Sequence, residues 1–332
     1  MKTLRITSFG LPTEVVELAD VDLAVPGPRD VTVALEAAPI NPSDVLEILG
    51  IYGLRPRLPA GVGAEGVGRI IAVGAEVQAS RVGERVIVIP GSGYPTWREQ
   101  TIVNERDVVP VDADGDALQL AMLGINPLTA YSMLHGYAKL EPGAWVGQTG
   151  ASSATARYVV TLARRAGFRT LNVVRRESAV QPLLDAGADV VLVGDGDLAE
   201  QARESLGDAT IELLLDAVGG EPATQLASLI RPGGAVISYS ALSLTPVSVM
   251  PQDLIFRGLT VYGYWLYTWM QTVSRAVIVD AYRRLGALVA DGTLSAPVEA
   301  TYSLEDHRAA IAHAVGDGSK DGRTGKVLFS LG

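Results

Sequence analysis

The sequence predicts an α/β protein made of a β-rich domain and a doubly wound parallel-sheet domain, and three observations predict it. From Trp145 to about residue 262, short apolar runs alternate with helical segments. Residues 1–115 instead alternate strand-like stretches with Gly/Pro punctuation, and the last segments of the chain share that character. Early in the alternating region, a turn of small residues is followed by a strand that ends in Arg175-Arg176. These are the places where a nucleotide-binding βαβ unit has its phosphate and ribose contacts.

Composition bounds the answer. At 332 residues the chain exceeds one average domain, so two domains are expected. It is 48% hydrophobic and 19% charged with 36 glycines, which suits a turn-rich α/β protein with a sizeable core. A net charge of −10 argues against a nucleic-acid or anionic-membrane partner, while leaving room for a local basic pocket. With no cysteine, disulfides and cysteine-ligated zinc are excluded, and the three histidines are scattered. No signal-like apolar core opens the chain, and no run approaches the ~18 apolar residues of a membrane span. A cytoplasmic protein is therefore expected.

In chain order, VTVALEAAP, GVGRIIAVG, ERVIVIPG and EQTIVNERDVVPV read as strands, with turns at Pro26-Gly27-Pro28, Asn41-Pro42 and Pro90-Gly91. The pattern there shows little helical periodicity. A helix-like stretch over 117–138 is interrupted at Asn126-Pro127. Apolar runs follow at 170–174, 189–193, 211–216, 234–239 and 259–262, separated by helical segments near 152–167, 177–187, 197–206 and 221–230. Parallel strands need such crossovers, so a sheet covered on both faces is implied. A helix over 271–291, the strands APVEATYSL and GKVLFSL, and a short helix over 304–315 close the chain. The first domain is thus discontinuous, 1–122 with 267–332, and the nucleotide domain is 123–266. His307 and His313 are expected in solvent, and the loop GDGSKDGRTG (316–325) is expected to be mobile.

The turn GQTGASSATA offers Gly147, Gly150, Ala151, Ser152, Ser153 and Ala154, residues small enough for backbone N–H groups and a helix N-terminus to approach phosphate. Alone it is a weak signal, since any N-capped helix looks similar. The next strand ends in Arg175 and Arg176, where NAD-binding units place a carboxylate. Two guanidiniums there suit a ribose 2′-phosphate, hence NADPH as cofactor. The bland alternative is a pair of solvated arginines. Asp112-Ala-Asp114-Gly-Asp116 has the wrong spacing for a calcium loop and reads as a turn and helix start. No G-x-S-x-G elbow appears, which argues against hydrolase chemistry.

INPSDVLEILGIYG, GAEGVGRIIAVG, TWREQ, NPLTAY, LNVVRRES, LLLDAVGG, RPGGAVISY, DLIFRGLTVYGYWL and GKVLF occur in the order of the medium-chain dehydrogenase/reductase superfamily. Together they most resemble its 2-enoyl thioester reductases, over nearly the whole chain. The resemblance implies a GroES-like catalytic domain plus a Rossmann domain with the active site between them, and a homodimer formed by edge-to-edge extension of the Rossmann sheets. It implies a zinc-independent enzyme, because Asn41-Pro42-Ser43-Asp44 and Ala64-Glu65 stand where zinc-dependent relatives carry ligands, and the structural zinc lobe is missing.

By the same resemblance, Tyr52 assists protonation of the substrate α-carbon or positions substrate. Asn41, Trp97 and Trp265 belong to the substrate pocket. Asn126, Thr129, Gly150, Ser152, Ser153, Ala154, Arg175, Arg176, Tyr239, Tyr264 and Lys326 belong to the cofactor site. Departures are Tyr239-Ser240-Ala241 in place of Y-G-G, and alanines at 154 and 156 in place of glycines. The implied substrate is an acyl thioester of coenzyme A or of an acyl carrier protein. A quinone or alkenal reductase of the same fold, acting on a conjugated carbonyl, and a non-enzymatic NADPH-binding protein stay open beside it.

Overall fold

The computed structural model describes residues 1–332 except 92, 195, 241 and 317–324. Most of the loop expected to be mobile, and Ala241 of the altered Y-G-G segment, therefore lie outside the described residues. The chain divides into two compact units, Met1–Ile125 with Arg275–Gly332, and Asn126–Ser274.

The first unit opens with β1 (Lys2–Ile6), α1 (Pro12–Val15), β2 (Val16–Asp20) and β3 (Asp30–Pro39). It continues through α2 (Pro42–Ile48), β4 (Ala60–Gly61), β5 (Gly66–Val73), β6 (Arg85–Val88), β7 (Gln100–Asn104), β8 (Val108–Pro110) and α3 (Ala117–Ala121). The second unit contains α4 (Asn126–Gly136), β9 (Trp145–Gln148), α5 (Ala154–Arg165), β10 (Arg169–Val174), α6 (Val180–Asp185), β11 (Val190–Val193) and α7 (Leu198–Leu206). It ends with β12 (Ile211–Asp216), α8 (Gly220–Ala227), β13 (Ile230–Ser238), α9 (Pro251–Phe256), β14 (Thr260–Gly263) and α10 (Leu266–Thr272). The chain then returns to the first unit as α11 (Arg275–Ala290), β15 (Val298–Tyr302), α12 (His307–Val315) and β16 (Lys326–Ser330).

In the second unit all strand pairs are parallel, in the order β11-β10-β9-β12-β13-β14. That is the doubly wound order, with the direction of winding reversing beside β9. Strand side chains alternate between two apolar clusters. Leu171 and Val173 pack with Leu198, Ala202, Leu226 and Ala227 of α7 and α8. Val174 packs with Ala156, Val160 and Leu183 of α5 and α6. The period of two in a strand puts these clusters on opposite faces, so helices cover both.

The first unit is built on a mostly antiparallel sheet, β15-β16-β3-β5-β6-β8, with β7 also pairing β3. Val31, Val33 and Leu35 of β3 face one core, while Ala38 and Ile40 face another that holds Trp97 and Phe329. Both C-terminal strands join this sheet, as their resemblance to the opening region predicts.

Several local features depart from expectation. The β-rich unit carries α2, because Asn41-Pro42-Ser43-Asp44 is a helix start: Pro42 occupies the first turn and the Asn41 N–H donates to Asp44 Oδ2 at 2.7 Å. The helix expected over 271–291 is α11, and a further helix not expected from the sequence, α10, precedes it in the second unit, which ends at Ser274 rather than at 266. His307 is buried rather than solvated, its Nδ1 3.0 Å from the Leu304 carbonyl. His313 lies 2.9 Å from the Tyr302 hydroxyl and 3.1 Å from Glu299. Asp112 closes a turn on the Asp114 N–H, and Asp116 caps α3 through the Leu118 N–H.

Candidate active site

In the second unit the predicted residues gather at the carboxyl ends of β9, β10 and β13. Gly150 turns the chain out of β9 at φ +62°, and a Cβ there would lie 3.2 Å from Cβ of Ala217. A left-handed turn this close to a neighbouring strand end favours glycine. Ser153 is the N-cap of α5, its side chain accepting the Ala156 N–H, with Ser152 exposed before it and Ala154 as the first helical residue. The positive end of α5 is therefore framed by small residues. Arg175, exposed, follows the last residue of the adjacent strand β10, and Arg176 comes next, half-buried.

Asn126, at the start of α4, accepts a hydrogen bond from Thr155 Oγ1 at 2.8 Å, tying α4 to the first turn of α5. Thr129 is buried one turn further along α4. The Tyr264 hydroxyl is 2.5 Å from Ser132 Oγ, and burial pushes its phenol up from the usual tyrosine range. Tyr239 follows β13; its hydroxyl is buried near the Ser153 side chain, with no hydrogen bond of normal geometry between them. An orphaned hydroxyl beside a helix cap is a place for a polar ligand atom. Trp265 is the N-cap residue of α10, half-buried, with its ring 5.1 Å from that of Tyr267.

Sequence patterns alone did not single out the support beneath this turn. Thr149 donates to Asp216 Oδ1 at 2.6 Å, and Asp216 also accepts the N–H groups of Val218 and Gly219. Asp216 belongs to LLLDAVGG, so the motif was visible while the hydrogen bonds were not.

In the first unit, four polar side chains form a buried cluster. Asn41 Nδ2 donates to Glu65 Oε1 at 2.8 Å, Lys326 donates to Asn41 Oδ1, and Ile125 N–H donates to Glu65 Oε2 at 2.7 Å. Gly124 lets the chain pass here, since a Cβ would stand 2.9 Å from Glu65 Oε2, and its carbonyl accepts from the Tyr282 hydroxyl. Asp44 completes the cluster through the α2 cap. Burial raises both Asp44 and Glu65 to about 7, with each other's charge adding for Asp44 and Lys326 opposing for both. Asn41 and Lys326, expected at substrate and cofactor, are 2% and 5% exposed and are joined to each other in this cluster.

Trp97 also differs from expectation. It is fully buried, its indole N–H donating to the Pro39 carbonyl and its ring 5.2 Å from Phe329, edge to face. It is core, because the T-W-R segment packs against β1 and β3 rather than opening to solvent. Tyr52 lies half-buried just beyond α2. Among the described residues, no group of three or more His, Asp or Glu is arranged to hold a metal ion.

A GroES-like unit and a doubly wound unit with a capped, small-residue turn define an NAD(P)-dependent dehydrogenase or reductase of the medium-chain type. Comparisons agree. The family model described as alcohol dehydrogenase GroES-like domain matches residues 27–113, and the one described as zinc-binding dehydrogenase matches 155–279. The enoyl-[acyl-carrier-protein] reductase, mitochondrial, of Rattus norvegicus is 34% identical over 316 residues, 94% of this chain and 84% of that protein. A candidate NADPH:quinone reductase from Bacillus thuringiensis superposes with a TM-score of 0.92 at 27% identity, covering 99% of this chain and 98% of that one. Etr1p of Candida tropicalis, solved with NADP and crotonyl-CoA, superposes with a TM-score of 0.84 at 25% identity, covering 99% of both chains. The chain belongs to the medium-chain dehydrogenase/reductase superfamily, in its enoyl thioester reductase branch.

Proposed function

We propose that this protein reduces the C=C bond of a 2-enoyl thioester with NADPH, adding hydride at the β-carbon and a proton at the α-carbon. The observation that carries the proposal is its near end-to-end similarity to the rat enoyl-[acyl-carrier-protein] reductase. The residues present fit the cofactor: Gly150 leaves the α5 N-terminus open, Ser153 caps it, and the Tyr239 hydroxyl is buried without a hydrogen bond. Arg175 and Arg176 would hold the 2′-phosphate, and the α5 N-terminus would take the pyrophosphate. When bound, NADPH supplies the hydride.

Tyr52 is the group proposed to assist at the α-carbon. A phenol O–H can donate a proton or a hydrogen bond as negative charge develops on the substrate. Asp216 and Thr149 hold the turn after β9 in shape. Asn126 fixes α4 against α5, which keeps Thr129 in place. The chemistry is proposed to be zinc-independent, in keeping with a chain that has no cysteine.

A homodimer joined through β14 is part of the proposal. β14 is the outermost strand of its sheet, and Val261 and Tyr262 on it are exposed, as are Ile255 and Phe256 just before it.

The fold similarity to a candidate NADPH:quinone reductase favours a second reading, reduction of a free conjugated carbonyl. Following NADPH oxidation at 340 nm with crotonyl-CoA and with a benzoquinone separates the two. The proposal expects crotonyl-CoA to have the larger kcat/KM by about tenfold or more. Quinone turnover with no thioester turnover would replace it with the second reading.

A further inference from the structure

We infer that Arg55 and Arg57 recognise a phosphoryl group on the carrier of the thioester, making the segment after Tyr52 a specificity element; the inference rests on the thioester reading above. Both arginines are exposed, and among the described residues neither forms a salt bridge. Arg5, Arg29, Arg69, Arg81 and Arg85 each have a carboxylate partner, whereas exposed Arg106, Arg283 and Arg308 of the same unit, like Arg55 and Arg57, form no salt bridge among the described residues; Arg55 and Arg57 differ from these in standing together within five residues of Tyr52. In a chain with 37 acidic and 27 basic residues, two uncompensated guanidiniums two positions apart make a local positive site against an acidic background.

The segment is held in place. Gly50, at φ +76°, turns the chain so closely over Phe9 that a Cβ would lie 2.9 Å from its ring. Arg55 then lays its guanidinium over the same ring, 4.4 Å from the centroid. Phe9 packs on the apolar core that contains Ile48 and Trp97, so it is a fixed platform. Downstream, Leu58 packs on that core and Ala60 pairs with Ile6 of β1. Stacking on an aromatic face pre-orients a guanidinium while leaving its N–H edge open to solvent.

Ile51 and Leu54 are exposed on the same segment, Ile51 to 69%. Apolar and cationic groups interleaved around Tyr52 match a ligand that is part hydrocarbon chain and part phosphate. An acyl-phosphopantetheine has that composition and a quinone does not. The shared chemistry is a phosphate ester, which coenzyme A carries at both ends of its diphosphate and a carrier protein carries on its pantetheine arm.

The test compares the wild type with the double variant Arg55→Ala/Arg57→Ala on crotonyl-CoA, crotonyl-dephospho-CoA and crotonyl-pantetheine, which has no phosphate. The expected result is a rise of about tenfold in KM for crotonyl-CoA, with kcat retained and KM for crotonyl-pantetheine unchanged. Retention of the effect on dephospho-CoA assigns the arm phosphates, and its loss assigns the 3′-phosphate. The lysine variant Arg55→Lys/Arg57→Lys should recover part of the loss, which a folding defect would not do. Equal effects on all three substrates, or none on any, would overturn the inference while leaving thioester reduction standing. A wild type that turns over none of the three would sink both.

Discussion

Arg175 and Arg176 show how much one residue pair can say. Their place was legible because a strand end in a βαβ unit is a fixed position relative to the ribose. The structure supplies their state: Arg175 exposed beyond β10, Arg176 half-buried at the start of a 3₁₀ turn. Replacing both by alanine should weaken NADPH far more than NADH, by about 1.5–3 kcal/mol for each charge-assisted hydrogen bond lost. Fluorescence titration with the two nucleotides checks this, and equal weakening would contradict the assignment. Trp97 shows the limit at this scale. Its T-W-R motif is recognisable, yet nothing local tells whether an indole lines a pocket or fills a core. That depends on Pro39 and Phe329, far away in sequence. Asn41 and Lys326, 285 residues apart, share a hydrogen bond that no spacing rule reveals.

Among elements, the central strands β10 and β12 of the second unit were legible because buried parallel strands are continuous apolar runs, and helices between strands keep a 3.6-residue period. Short elements were harder. α2 was hidden by its β-rich surroundings, although Asn41, Pro42 and Asp44 spell its first turn. α9 carries exposed Leu254, Ile255 and Phe256, so no amphipathic pattern marks it within the monomer. The same exposure bears on assembly. A Lys at Val261, combined with Phe256→Glu, should convert the proposed dimer to monomer at micromolar concentration, measured by sedimentation velocity, because charges on an edge strand oppose strand pairing. An unchanged sedimentation coefficient, dimer or monomer, would remove β14 as the interface.

At the scale of the whole molecule, the buried cluster of Asp44, Glu65, Asn41 and Lys326 ties α2, the entry to β5, β16 and the end of the first stretch of the first unit into one network. Both acids stand at about 7 when folded, above their ordinary values of 3.8 and 4.5. The folded state therefore holds these protons more tightly than the unfolded chain. Their contribution to stability is full below about pH 4 and is lost as pH rises through about 7. Asp44→Asn keeps an acceptor for the Asn41 N–H while removing the buried charge. Its gain in stability over wild type should grow between pH 5 and pH 8 by about 1–3 kcal/mol, read from urea unfolding at each pH. A gain that is the same at both would show that Asp44 does not titrate in this window.

By itself the sequence determined the fold class, the discontinuous first unit and the small-residue turn that opens α5. Each follows from local periodicity, small residues and charge at positions that a βαβ unit places automatically. Only the tertiary structure decided which polar residues face inward. Burial, and hydrogen bonds between segments hundreds of residues apart, are properties of packing, and they leave no periodic trace in the chain.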